Sequence, residues 1–454
     1  MGKSKAKRFG RPPFSPAGAP KPLRSGEAEG GEAAAAAELL EKLQDPSADV
    51  REFACASISK LLQQKQTIPA FVQRDVVRCL GPMLLDQSLA VRETATGALR
   101  NLSACGGFDV CDDMVTKDVM TPLVALLKQC QSGLEESNGS VKGTKDTNKN
   151  YTEDIANEAV NLLWNVCESN STAVSIFNRE GCLPVVLQYL KRFQTNVDLA
   201  VAVASCLQAV TEDNPDLLSA FDSSAHQLLE MAMVSSGKTV EHILLRTLVA
   251  GIIWNIKSTV PSGSQAGTVN AILKTLSECL EPDAGEAVIR LKEEETERLK
   301  TSPELGVEGS VDDRGSSEVN EDEAMEETPP KNTKGNNDIS DLLPRSKQEL
   351  KQATSLLLAQ QTALEIIVNM CCSEEPSDDE WEELSSSDES DAFLENSYEE
   401  GGKLMSPLCL SAEVHTALMN HLVPKKILEK TAFPNSTAVD ICTQSPAWKP
   451  LIKK

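Results

Sequence analysis

Four asparagines close apolar stretches of one kind. Asn101, Asn165, Asn255 and Asn369 stand in ALRNLSA, LLWNVCE, GIIWNIKS and EIIVNMCC, and Ala209 holds the matching place in SCLQAVTEDNP. A primary amide carries donors and an acceptor together, the set that an extended peptide backbone needs. Trp164 and Trp254 directly precede two of these asparagines and supply ring faces for aliphatic or cationic side chains, while Asn161, Glu168 and Glu365 lie about one helical turn away. This is the chemistry of peptide recognition. The alternative is internal, with the amides bridging to neighbouring repeats and the indoles partly in the core; for the set Asn161, Trp164, Asn165 and Glu168 the groove is the preferred reading.

A second chemistry is that of massed carboxylates. Asp312, Asp313, Glu321, Asp322, Glu323, Glu326 and Glu327 stand close together with Arg314 as the one base near them, and a second acidic run occupies residues 373–400. A polyanion of this kind can cover the RNA-binding surface of a basic protein until RNA competes for it. The plain alternative is a solvated spacer. Ser385, Ser386, Ser387 and Ser390 have acids downstream, so phosphorylation would deepen the charge of the second run.

A third signal lies in the arm at residues 1–24, which is rich in Lys, Arg and Pro and has no acid. Within RFGRPPF, Arg8, Arg11, Pro13 and Phe14 look like the basic and proline-tyrosine import signals read by transportin-type importins, with Phe14 where the tyrosine stands. A solvated basic tail is the alternative.

These groups have to be positioned, and the sequence says how. DPSADVREFACASISKLL at residues 45–62 returns as DQSLAVRETATGALRNLS at residues 86–103, a period of 41 that falls in the range of helical-pair solenoids. In the copy ending ANEAVNLLWNVCE, Ile155, Ala159, Leu162, Leu163 and Val166 follow helical spacing and predict one buried stripe, opposite Asn157, Asn161, Asn165 and Glu168. The fold class predicted is all-α, an armadillo/HEAT right-handed α-solenoid. Residues 1–37 are expected to be a disordered basic arm and Gly/Ala lead-in, with Glu38 opening the first helix. Repeats fill 38–280 with a polar insertion near 131–152; a charged helix and acidic disordered loop fill 281–337; further helical repeats with a second acidic loop near 373–400 fill 338–454.

Composition agrees. Aromatics are 4% of 454 residues and the formal net charge is −24, which argues against direct nucleic-acid binding and for a basic partner. Thirteen cysteines form no CxxC pair, and Cys55, Cys79, Cys167 and Cys206 read as small apolar residues inside helices. Four histidines stand in no catalytic or zinc-binding motif, so an enzyme, a cofactor and a metal are not expected. No run of about 18 apolar residues occurs, and no membrane partner is expected. A solenoid whose repeats touch only their neighbours is expected to be a monomer.

VRETATGALRNLSACGGFDVCDDMVTKD, the two WN helix ends, CCSEEPSDDEWEELSSSDESDAF and the start MGKSKAKRF together resemble the symportin family over essentially the whole chain. The resemblance implies a mixed armadillo and HEAT solenoid that escorts two large-subunit ribosomal proteins, the pair that binds 5S RNA, into the nucleus, shuttling between cytoplasm and nucleus. Members of that family continue past the position matching Lys454, so the array is expected to be cut short. The other reading is a generic solenoid scaffold or an import receptor in its own right, and the basic arm separates the two, since a receptor needs no import signal of its own.

Overall fold

The computed structural model describes residues 28–138, 146–301, 348–372, 407–432 and 435–453. Among them every regular element is a helix. Arg8, Arg11, Pro13 and Phe14, the acids from Asp312 to Glu327, and Ser385, Ser386, Ser387 and Ser390 lie outside the described residues.

The repeated DxS turns start the architecture. Asp45 Oδ1 accepts the Ser47 N–H and Asp86 Oδ1 accepts the Ser88 N–H, each at 2.8 Å, so each aspartate folds a turn that launches a helix: α2 (Ala48–Leu61) and α5 (Leu89–Gly106). Arg51 then ties the two copies together. Its Nε and Nη2 fork onto the Asp86 carboxylate at 2.8 and 3.0 Å, and its Nη1 donates to the Asp45 and Pro46 carbonyls at 2.8 and 3.0 Å. The Arg51 fork holds the Asp86 carboxyl below the usual carboxylate range. Before and between these helices lie α1 (Ala28–Lys42), α3 (Ile68–Val72), α4 (Val76–Leu80) and a 3-10 turn, Gly81–Leu85.

Later repeats use other caps. α6 (Phe108–Thr116), α7 (Met120–Asn138) and α8 (Asp146–Ser169) make the third; α9 (Ser171–Arg179), α10 (Cys182–Leu190) and α11 (Val197–Thr211) the fourth; α12 (Pro215–Leu218), α13 (Ser223–Met233) and α14 (Val240–Asn255) the fifth. Asn170, Asn196 and Asp222 accept the N–H of Ala173, Leu199 and Ala225, which satisfies first-turn donors of α9, α11 and α13. The chain continues through α15 (Ser262–Cys279), α16 (Ala284–Thr301), α17 (Gln348–Cys372), α18 (Pro407–Asn420), α19 (Val423–Lys430), α20 (Ser436–Gln444) and a 3-10 turn, Lys449–Lys453.

α2, α5, α8, α11, α14 and α17 pack in series, each against the next, and form a ladder. Other helices of the repeats pack against it: α1 on α2, α7 on α8, α10 on α11 and α13 on α14. On α8 the predicted stripe is the buried one: Ile155, Ala159, Leu162, Leu163 and Val166 are at most 1% exposed. α17 is also long and apolar enough, by length and composition, to cross a membrane, but half of that stretch is buried in this fold.

Two boundaries differ from the sequence reading. α1 begins at Ala28 rather than at Glu38, because the alanine run has the highest helix propensity and Ala36 seats in the core. The insertion expected near residues 131–152 is helical on both flanks, since α7 runs to Asn138 with Leu134 buried and α8 begins at Asp146; residues 139–145 lie outside the described residues. The charged helix expected after residue 280 is α16, and its Val288 and Leu291 are buried. Cys55, Cys167 and Cys206 are buried, as read, whereas Cys79 is half-buried; burial pushes the Cys55 thiol up to about 12, where it acts as an apolar group.

Candidate peptide groove

The predicted residues fall on four of the ladder helices, α5, α8, α14 and α17. Asn101 is buried and donates from Nδ2 to the Ser59 carbonyl at 3.1 Å and to Ser59 Oγ at 3.0 Å. Asn165, half-buried, donates to Ser103 Oγ at 2.9 Å. Asn255, half-buried, donates to the Gln208 carbonyl at 3.2 Å and Thr211 Oγ1 at 3.1 Å. In all three the donor side of the amide staples a ladder helix to the one before it. What each amide keeps for a ligand is its carbonyl oxygen.

The other predicted residues divide. Asn161 is buried and donates to the Asn157 carbonyl at 2.8 Å within α8, Trp164 is half-buried against the core, and Glu168 is exposed at the end of the same helix. Those three therefore surround Asn165 on one helix. Trp254, in contrast, is a core residue at 4% exposure, with the Lys257 ammonium 4.5 Å over its ring, and offers no open platform. Glu365 is half-buried and accepts from Gln361 at 3.1 Å; Asn369 is exposed near the end of α17.

This side of the ladder is not uniform. Along α11 all residues but Val197, Asp198 and Ala209 are buried. Small side chains, Ala202 and Ser205, let its neighbours close in, and Gly251 of α14 completes the approach: a Cβ there would lie 2.8 Å from Gln208 Nε2 and 2.9 Å from Ile366 Cδ1. α11 and most of α14 are buried, whereas α2, α5 and α8, the open half of the ladder, keep more of their side chains partly exposed.

The open half carries residues that the motif reading passed over. Glu52 of α2 and Asp154 and Glu158 of α8 all bear on Glu93 of α5: the Glu93 carboxyl is pushed up to about 7, first by burial and then by Asp154, Glu158 and Glu52. The Tyr151 phenol is raised as well, by burial and by Glu93, Glu52 and Asp154. Arg100 Nε meets Glu158 Oε2 at 2.6 Å, and Gly97, one turn beyond Glu93, lies within reach of both Glu158 and Ser59. Glu52 and Glu93 are the same position of the repeat, 41 residues apart, and Asp154 and Glu158 are a turn apart on α8. Repeat spacing thus held the signal, but a charge shared by two copies reads as a solvated face until the third helix is laid beside them.

The ladder defines an α-solenoid of the armadillo/HEAT class. No family model matches the chain. It is 61% identical over 460 residues to HEAT repeat-containing protein 3 of Homo sapiens, covering 100% of this chain and 67% of that protein, and 59% identical over 466 residues to the Mus musculus protein of the same name, with the same coverage. The chain belongs to the HEAT repeat-containing protein 3 family. It is also 28% identical over 253 residues, 53% of this chain and 37% of the other, to Syo2 of Schizosaccharomyces pombe, an armadillo repeat protein involved in nucleocytoplasmic transport. Computationally designed armadillo repeat proteins for modular peptide recognition overlay 50% of the chain at 16% identity and a TM-score of 0.40, too loosely to bear on the site.

Proposed function

We propose that this chain is a carrier and chaperone of basic proteins, which holds an extended cargo segment on the open half of the ladder. Its cargo is the pair of large-subunit ribosomal proteins that binds 5S RNA, taken into the nucleus for ribosome assembly. The observation that carries this reading is the gathering of Glu52, Glu93, Asp154 and Glu158 on three successive ladder helices that also hold Asn101 and Asn165. Carboxylates there draw Lys and Arg side chains of the segment, and the amide oxygens accept its backbone N–H groups. The net charge of −24 steers the encounter in the same direction. The transport role named for Syo2 supports a carrier over a static scaffold.

In this reading Asp312, Asp313, Glu321, Asp322, Glu323, Glu326 and Glu327 shield the folded body of the cargo, and Arg8, Arg11, Pro13 and Phe14 engage a transportin-type importin, so that the chain shuttles between cytoplasm and nucleus as a monomer. Capture from cell extract tests it. The wild-type chain is expected to retain the 5S RNA-binding ribosomal proteins together with an importin, and Pro13→Ala with Phe14→Ala to lose the importin alone. Retention of neither ribosomal protein would overturn the cargo assignment.

A further inference from the structure

Among the described residues the buried apolar side chains gather in two separate cores. One follows the ladder from Ala36 to Val423. The other is small and lies between α16, the start of α17 and the end of the chain: Val288 and Leu291, Ala353, Ala438 and Cys442, and Trp448 with Leu451. Residues 435–453 thus return to pack on a helix about 150 positions earlier in the sequence. The approach is close, since a Cβ on Gly285 would lie 3.3 Å from the Cβ of Asn435.

Three features make this unit distinct. Trp448 is fully buried, yet its indole N–H finds no acceptor among the described residues, and the Lys292 ammonium sits 5.5 Å over its ring. A buried donor left unpaired subtracts from the stability that the ring's burial supplies. Arg298 forks onto Glu349 at 2.9 and 2.7 Å and so joins the last turn of α16 to the first turn of α17. Lastly, α17 is the one helix common to both cores: Ala353 lies in the small core, Ala359, Ala363 and Ile366 in the large.

We propose that α16, the first turns of α17 and residues 435–453 form a clasp that opens as one unit while the ladder stays folded, with Trp448 as its pin. A small core with few apolar side chains and an unsatisfied donor opens at lower free energy than the continuous core beside it. The clasp also sets the separation of two points on the chain, since α16 ends immediately before residues 302–347 and α17 begins immediately after them. Closed, it holds those two points together through Arg298 and Glu349; open, it lets them part. The proposal stands apart from the cargo reading and does not depend on it.

Native-state hydrogen exchange on the full chain, read by mass spectrometry at low urea, tests the clasp. In the wild type, amides of α16 and of residues 435–453 are expected to exchange through a shared opening that leaves α5, α8, α11 and α14 protected. Trp448→Ala is expected to speed exchange in the clasp by roughly 100-fold or more, as emptying the volume of a buried indole implies, with ladder rates unchanged. Two results overturn the proposal: α16 and α14 exchanging through one common opening in the wild type, or a Trp448→Ala chain that fails to fold, since the ladder is held to fold without its clasp.

Discussion

Glu93 is the residue at which structure and function meet most closely. Its carboxyl titrates near 7 in the folded chain against an ordinary value of 4.5, so between those values the native state holds a proton that the unfolded chain has lost. Stability contributed through Glu93 therefore falls as pH rises across that window. Glu93→Gln is expected to flatten this slope and to raise the melting midpoint above pH 7, which thermal scans from pH 5 to 8 would measure. A cationic cargo favours the ionised form, so its binding is expected to tighten as pH rises from 6 to 8 and to release protons; in Glu93→Gln this dependence should vanish. Asp86 behaves oppositely, for Arg51 lowers its pKa. The stability it supplies is complete above the ordinary carboxylate range and is lost as pH falls through its folded value, so Asp86→Asn should weaken the chain at neutral pH and leave it less sensitive to acid. The asparagine positions were legible from helix-end spacing, because a repeated polar residue on an apolar helix has to be explained. Which side of each amide is engaged was not legible, since it depends on Ser59, Ser103 and Thr211 of the preceding helix. Asn165→Ala is expected to cost about 1 kcal/mol for one lost hydrogen bond between repeats, measurable by urea unfolding.

At the scale of elements, Gly251 decides how far the groove extends. Gly251→Val is expected to destabilise the chain by about 1–3 kcal/mol, because a branched side chain must push Gln208 and Ile366 apart where α11, α14 and α17 converge. Binding of a basic peptide to the open half should survive in the fraction that remains folded, and a combined urea and binding titration separates the two effects. The ladder helices were legible because each carries a long apolar stripe, as Ile155 to Val166 do. Their ends were less so. Residues 28–37 carry no large apolar side chain for a helical stripe, so their helix rests on the propensity of the alanine run and on the docking of Ala36 and Leu40. The openness of the ladder was likewise hidden, for Trp164 and Trp254 both stand before an asparagine at a helix end, yet the first is half-buried and the second lies in the core.

For the whole molecule the deciding quantity is charge. A chain of net charge −24 with carboxylates gathered on its open ladder is expected to bind basic segments more weakly as salt rises, since exposed charges are screened over about 8 Å at physiological ionic strength. Replacing residues 304–327 with a neutral Gly and Ser linker of equal length is expected to leave the groove's affinity for a peptide unchanged and to let the folded cargo aggregate or bind stray RNA, which light scattering and RNA capture would follow. Equal protection by both versions would reduce that stretch to a spacer. The most direct measurement of the central claim is a titration of the basic segment of a 5S RNA-binding ribosomal protein against the wild-type chain and against Glu52→Gln, Glu93→Gln, Asp154→Asn and Glu158→Gln combined, at low and moderate salt. The account predicts salt-sensitive binding by the wild type and loss of most of it in the neutralised chain, with the fold intact by circular dichroism. Equal binding by the two chains would contradict it.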